Sequence, residues 1–302
     1  MFTAPPQNNL HAAFLITLAT AFIAATTLMA KALGTDTLGP ALPALQISHG
    51  RFLFAFLTLG AVAAVLRPSF GPVHWRLHLG RTSLGWGGVT LMFASVAFIP
   101  LSDATAISFL NPVFAMMLAI PLLGERVGAI RWSAAALALL GAVILLRPTA
   151  ASFQPAALLA LGAALLMGLE LIFIKKLSGR EKPFQILLVN NMIGLTIASA
   201  AVVPVWQVPT GGQWLCLAAL GVCMALAQTC FVNAMARADA SFVAPFSYST
   251  LIFAAILDAL FFNVLPDAVS VVGAATILAG ALALALREAR LRKHPRPPDA
   301  RA

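Results

Sequence analysis

Apolar runs about 20 residues long, the length that crosses a bilayer as a helix, alternate along the chain with short breaks marked by Gly, Pro or charge. Ten such runs are expected, at roughly 11–33, 41–66, 83–101, 104–122, 129–147, 155–174, 184–204, 213–236, 240–262 and 268–286. Polar and apolar positions do not alternate within them, which excludes the dyad pattern of a membrane β-barrel. One stretch sets the plan. From Asp103 to Pro148 an apolar run containing Asn111-Pro112 leads to a short charged hairpin at Gly124-Glu125-Arg126, then to an Ala/Leu run. Asp239 to Arg287 repeats that order. Asp103-Ala104 and Asp239-Ala240 lie 136 residues apart, and Leu139, Gly141 and Ala142 lie 139 residues from Leu278, Gly280 and Ala281. Gln46 and Gln185 share the 139 shift, which sets Arg51 opposite Asn190. The expected fold is an all-α integral membrane protein with ten transmembrane helices in two five-helix repeats. Because five is odd, the second repeat is inverted relative to the first, an architecture of many secondary transporters. The expected units are 11–147, 155–286 and a basic tail at 287–302.

Composition turns the pattern into a statement about solvent. The 302 residues are 61% hydrophobic and 10% charged, against about 25% charged in soluble domains. Lipid is the solvent, and every backbone polar group must be satisfied within helices. The net charge of +9 is a topology signal, not a sign of nucleic acid. With the N-terminus placed in the cytoplasm, sixteen Lys and Arg fall on the inner side and only Lys31 and Arg147 on the outer side. That positive-inside bias puts both termini on the cytoplasmic side of the membrane. The tail from 287 reads as a disordered basic segment beside anionic headgroups. Cys216, Cys223 and Cys230 share one helical face and one apolar run, which implies packing and no disulfide framework. The first apolar run lacks the basic region and cleavage site of a signal peptide and reads as a retained span.

The segments "AFIPLSDATAISFLNPVFAMMLAIPLLGERVGAIRWSAAALALLGAVILLRP" and "MARADASFVAPFSYSTLIFAAILDALFFNVLPDAVSVVGAATILAGALAL" resemble the two modules of EamA-type transporters in the drug/metabolite transporter superfamily. Arg51 in the second span is similar to the family pattern as well. The resemblance covers about 11–286. It implies alternating access around a cavity lined mainly by the first, third, fourth, sixth, eighth and ninth spans. One departure stands out: Gly124-Glu125 of the first module is answered by Asn263-Val264 in the second.

Charged and polar residues inside spans are the candidate chemistry. Arg51 lies about 15 Å along its helix, at 1.5 Å per residue, and needs a partner or water at that depth. It is either a structural donor or a cation that attracts a substrate carboxylate. His49 is two residues away on another side of the helix. Glu170 is the acidic residue well inside the sixth span, a site for proton coupling or for an amine. Ser95, Asn111, Asn190, Gln228 and Tyr248 complete the expected substrate-binding set, with Asn191 and Asn233 as further polar span residues. Their plainer role is bonding between helices. Asp258 reads as interfacial. Asp103 and Asp239 read as N-caps, and Glu125-Arg126 as a brace or a latch. Ala134, Ala138, Ala142, Ala275 and Ala279 give the fifth and tenth spans close-packing faces, so these spans are scaffold. His74 and His78 have i,i+4 metal spacing but no third ligand in the sequence nearby, which favours an interfacial amphipathic helix.

The expected function is secondary active transport of a small polar or amphipathic metabolite. The first choice is an exporter of amino acids or amino-acid-derived compounds such as a metallophore. The alternative is an importer of a vitamin or nucleotide-like solute. A membrane-embedded enzyme acting on a lipid-linked substrate is the alternative of another class. HExxH, DxxD, GxSxG and a P-loop are all missing, which argues against that enzyme and against ATP coupling. No cofactor or metal is expected. The expected partners are the small-molecule substrate and membrane lipids, with a homodimer allowed and nucleic acid excluded.

Overall fold

The computed structural model describes residues 8–123, 127–146, 154–177, 180–235, 237–238 and 246–293. The hairpin Glu125-Arg126, the expected cap Asp239, Pro245, Arg147-Pro148 and the chain beyond 293 lie outside these residues. The described residues form helices and connecting turns, with no strand among them. In chain order they are α1 (Asn9–Gly34), α2 (Ala44–Leu66), α3 (Trp75–Val96), α4 (Leu101–Ser108), α5 (Asn111–Leu123), α6 (Ala129–Leu146), α7 (Ala157–Leu177), α8 (Pro183–Val202), α9 (Gly211–Met235), α10 (Ser249–Phe262) and α11 (Ala268–Lys293). A 3-10 turn at Val203–Val205 closes α8.

Among the described residues, eight segments are long and apolar enough to cross a membrane, with 101–122 counted as one. The protein is therefore a multi-pass membrane protein. Two of the expected spans fall outside that set: α3, whose first turns carry Arg76, His78 and Arg81, and α10, which is 14 residues long. The fourth expected span is broken. Phe109 and Leu110 end α4 in a tight turn, and α5 restarts at Asn111 with Pro112 in its first turn. Proline has no N–H to donate, which suits it to a helix start.

Helix partners repeat between the two halves. α3 lies along α7 as α9 lies along α1, α5 meets α7 as α10 meets α1, and α3 meets α8 as α9 meets α2. The corresponding helices α2 and α8 pack on each other, as do α6 and α11. Reciprocal amide clasps give the sense of the repeat. Near the start of α2, Gln46 donates to the carbonyl of Gln207 beyond the end of α8 (2.6 Å) and accepts from its N–H (3.0 Å). Near the start of α8, Gln185 donates to the carbonyl of Gly71 beyond the end of α2 (3.2 Å) and accepts from its N–H (2.7 Å). Each helix thus holds the exit loop of its counterpart, so α2 and α8 run antiparallel.

The α6–α11 seam is scaffold, but its face differs from the one expected. Ala134, Ala138 and Ala142 are buried in it, whereas Ala275 and Ala279 are exposed. On α11 the seam is built on Gly273, Ile277 and Gly280. Glycine there lets the backbones touch: a Cβ on Gly280 would lie 2.5 Å from the Ala138 nitrogen, and one on Gly141 would lie 2.6 Å from the Ile277 nitrogen. The tail expected from 287 also begins differently, because α11 continues as helix to Lys293.

Asp103 is not the expected cap. The helix starts two residues earlier, with Pro100 at its N-cap. Asp103 sits buried in the first turn of α4 and accepts from Ser270 Oγ of α11 at 2.9 Å. It ties α4 to the scaffold while remaining favourable with the dipole.

Gly141→Leu should destabilise the protein by about 1–3 kcal/mol through overpacking. Gly60→Ala, where a Cβ meets nothing within 4 Å, should instead hold stability or raise it by up to about 1 kcal/mol, the helix-propensity gain of alanine. Thermal unfolding in detergent of the two variants beside the wild type measures both.

Candidate functional site

Three helices bring charge into the interior. Arg51 on α2 is 4% exposed, Arg81 lies on α3, and Glu170 lies on α7. Arg81 Nε is 3.3 Å from Glu170 Oε1, with the Glu170 side chain 18% exposed. Glycine makes this approach possible: a Cβ on Gly85 of α3 would lie 2.8 Å from the Glu170 carboxyl carbon. Arg51 is close enough to attract Glu170 and repel Arg81. Its Nε and Nη1 atoms are buried without a hydrogen-bond partner among the described residues. Its guanidinium sits 4.2 Å from the ring centre of the neighbouring Phe52. Two cations face one carboxylate, so the cluster carries one excess positive charge with free donors. An intramembrane cation in that state calls for an acceptor.

A polar seam runs beside the cluster. Thr82 donates to Asn190 Oδ1 of α8 at 3.0 Å, one residue along from Arg81. Asn191 donates to Gln228 Oε1 of α9 at 3.0 Å and to its own helix at Leu187, leaving its Oδ1 buried without a partner. Thr90 of α3 donates to Ser48 of α2 at 2.9 Å. One turn away from each lie Trp86 and Arg51, and the buried Trp86 Nε1 is a second donor without a partner.

Of the residues expected from sequence, Arg51, Glu170, Asn190 and Gln228 belong to the charged cluster or its seam. The other four lie elsewhere. His49 is edge-on to Trp206 at 5.8 Å, in an aromatic group completed by Trp214 and Phe54. Ser95 is buried and donates to Met92 of its own helix. Asn111 opens α5, its carbonyl against Gly168 of α7. Tyr248 meets Phe109 edge-to-face at 5.0 Å. Phe109 and Tyr248 stand 139 residues apart, at the end of α4 and the start of α10, so the two broken segments meet at equivalent positions.

Two expectations are corrected here. Arg81 falls outside the expected third span, 83–101, but α3 begins at Trp75 and buries it. His74 and His78 do not form an interfacial helix. They start α3, His78 is fully buried, and both bind Glu181 from the α7–α8 connection. That carboxylate accepts from the His74 N–H (2.7 Å), the His74 ring (2.9 Å), the His78 ring (3.0 Å) and Gln185 (2.9 Å). Burial works to raise the Glu181 carboxyl. The His74 backbone bond and the ring bonds outweigh it and hold the group at about 2. Among the described residues no set of three or more His, Cys, Asp or Glu gathers to hold a metal ion. Glu181 lies more than 100 residues from both histidines, beyond the reach of spacing arguments.

Helices that pair across two repeats, with buried charge and a polar seam between them, build a polytopic membrane protein. The EamA-like transporter family model matches residues 10–147 and 154–286, and the chain belongs to that family, within the drug/metabolite transporter superfamily. It is a transporter and not an enzyme. A riboflavin transporter of Rhizobium johnstonii is 35% identical over 227 residues, 73% of either chain. An S-adenosylmethionine uptake transporter of Rickettsia prowazekii is 26% identical across 89% of this chain and 90% of its own length. A pseudopaline exporter of Pseudomonas aeruginosa is 28% identical across 64% of this chain and 68% of its own.

The Glu181 clasp generates a pH dependence. The folded carboxyl titrates below its ordinary value of 4.5, so its stabilisation is complete above that value and is lost as pH falls towards about 2. Glu181→Gln should lower thermal stability at neutral pH and flatten the acid limb of a stability–pH profile between 4.5 and about 2.

Proposed function

We propose that the protein is a secondary transporter with ten membrane crossings in two inverted five-helix repeats, 11–147 and 155–286, set in a bacterial inner membrane with both termini cytoplasmic. α3 and α10 supply the two crossings that length and hydropathy alone do not select. The two halves rock about a site near the α2–α3–α7 junction. A gradient or exchange of solutes drives the cycle.

The unpartnered, buried guanidinium of Arg51 carries this reading. A solute that presents two acceptors (a carboxylate, or the carbonyl and ring nitrogen of a heterocycle) satisfies it, with Trp86 Nε1 as a further donor. Glu170 and Arg81 hold each other and balance the remaining charge. The relatives shift the favoured solute. Those named for riboflavin are more similar in sequence than the one named for pseudopaline, which supports a vitamin- or nucleotide-like heteroaromatic solute over the amino-acid-derived compound expected first. Phe109 and Tyr248 offer aromatic surface at the junction of the two halves. The excess positive charge of the cluster keeps a second reading in place, an anionic amino-acid-derived solute.

Reconstituted protein should give saturable flux of riboflavin or a related heteroaromatic solute in proteoliposomes. Arg51→Ala should reduce that flux about 10- to 100-fold, the worth of a charge-assisted hydrogen bond, and Glu170→Gln should reduce it too. Flux of amino-acid-derived solutes alone selects the second reading. No flux for either class overturns the transport proposal, and flux surviving both substitutions in folded protein places the site elsewhere.

A further inference from the structure

A second buried charge pair lies where α1, α4 and α10 meet. Lys31 in the last turn of α1 is bonded and ion-paired to Asp258 Oδ1 of α10. Asp258 is 1% exposed, and its partners stand at helix ends, the end of α1 and the start of α4. Its other oxygen accepts from the Leu101 N–H at 2.7 Å, which satisfies the first free N–H of α4, whose own N-cap, Pro100, makes no side-chain bond. The Lys31 ammonium lies 4.5 Å from the ring centre of Phe262. Close by, the ends of α1 and α3 touch: a Cβ on Gly34 would lie 3.3 Å from the Ala97 side chain.

At this end of the molecule the two repeats differ in packing among the described residues. α1 packs against α3, but their counterparts in the second repeat, α7 and α9, make no comparable contact among the described residues.

We propose that Lys31, Asp258 and the Leu101 N–H form a latch that seals the outer end of the solute path and opens once per transport cycle. The proposal rests on the transport reading above and on the orientation given by the basic residues. Separating α10 from α1 and α4 strips the partner from an ammonium, a carboxylate and a backbone N–H together. Such groups separate only where water enters to replace the lost bonds, so opening the latch and wetting the outer vestibule are one event. The same coupling makes the closed latch cooperative: a single carboxylate ties three helices.

Thiol labelling tests this without any solute. Cys216, Cys223 and Cys230 are replaced by Ala, and Thr27→Cys is introduced one turn deeper than Lys31, where the native hydroxyl bonds to Ile23 of its own helix. A membrane-impermeant maleimide is applied to the outer face of sealed right-side-out vesicles. The intact latch should keep labelling slow. Asp258→Asn and the double variant Lys31→Met/Asp258→Leu should each raise the rate about tenfold or more by shifting population to the outward-open state. The double variant leaves no uncompensated charge, so it guards against simple unfolding, which gel filtration and thermal melting check. Unchanged labelling in both folded variants overturns the latch, as does labelling that rises only from the inner face. Faster outer labelling without flux of any solute leaves the latch in place and counts against the transport reading alone.

Discussion

No charge rests in a lipid-solvated interior without a partner or water, and the arrangement of this protein follows from that constraint. Lys31 has Asp258 and Arg81 has Glu170. Arg51 has no partner of its own among the described residues. The first pair joins α1 to α10, and the second joins α3 to α7, so each ties one repeat to the other. Breaking either pair by removing one partner strands a buried charge, which is far more costly than the net worth of the pair. Such pairs lend themselves to holding discrete states. Arg51 is the exception, and the proposed solute site is built on it.

Around the charges stands a framework that owes little to electrostatics. The α6–α11 seam is glycine and alanine in backbone contact. The α2–α8 pair is fixed by two glutamines, each gripping the loop beyond the other's helix. Both features join equivalent elements of the two repeats. Among the described residues the repeats differ where α1 packs against α3, with no comparable contact of α7 with α9.

Much of this was legible in the sequence. Apolar run lengths gave the helices, and the shift of 139 residues paired Gln46 with Gln185 before either clasp was visible. Arg51, Glu170, Asn190 and Gln228 stood out because polar groups inside apolar runs demand explanation. Arg81 was missed for the same reason, since charge near a run's edge reads as a loop while α3 begins a turn and a half earlier. The partner of Asp258 was not legible, because sequence shows depth along one helix and not the lysine of another, 227 residues away. Glu181 was invisible as a partner for His74 and His78 on the same ground. Asp103 read as a cap because Asp before an apolar run usually is one; Asp258 serves α4 from another helix instead.

The account centres on the open donors of Arg51, and ligand-induced stabilisation measures them directly. Purified protein is melted in detergent with riboflavin, related heteroaromatic vitamins and anionic amino-acid derivatives, beside Arg51→Gln and a conservative control distant from the site. Binding at a hundred times the dissociation constant stabilises the folded state by about 2.7 kcal/mol. A solute-dependent rise in melting temperature that Arg51→Gln abolishes and the control keeps is the expected result. The same rise in Arg51→Gln as in the wild type contradicts the account.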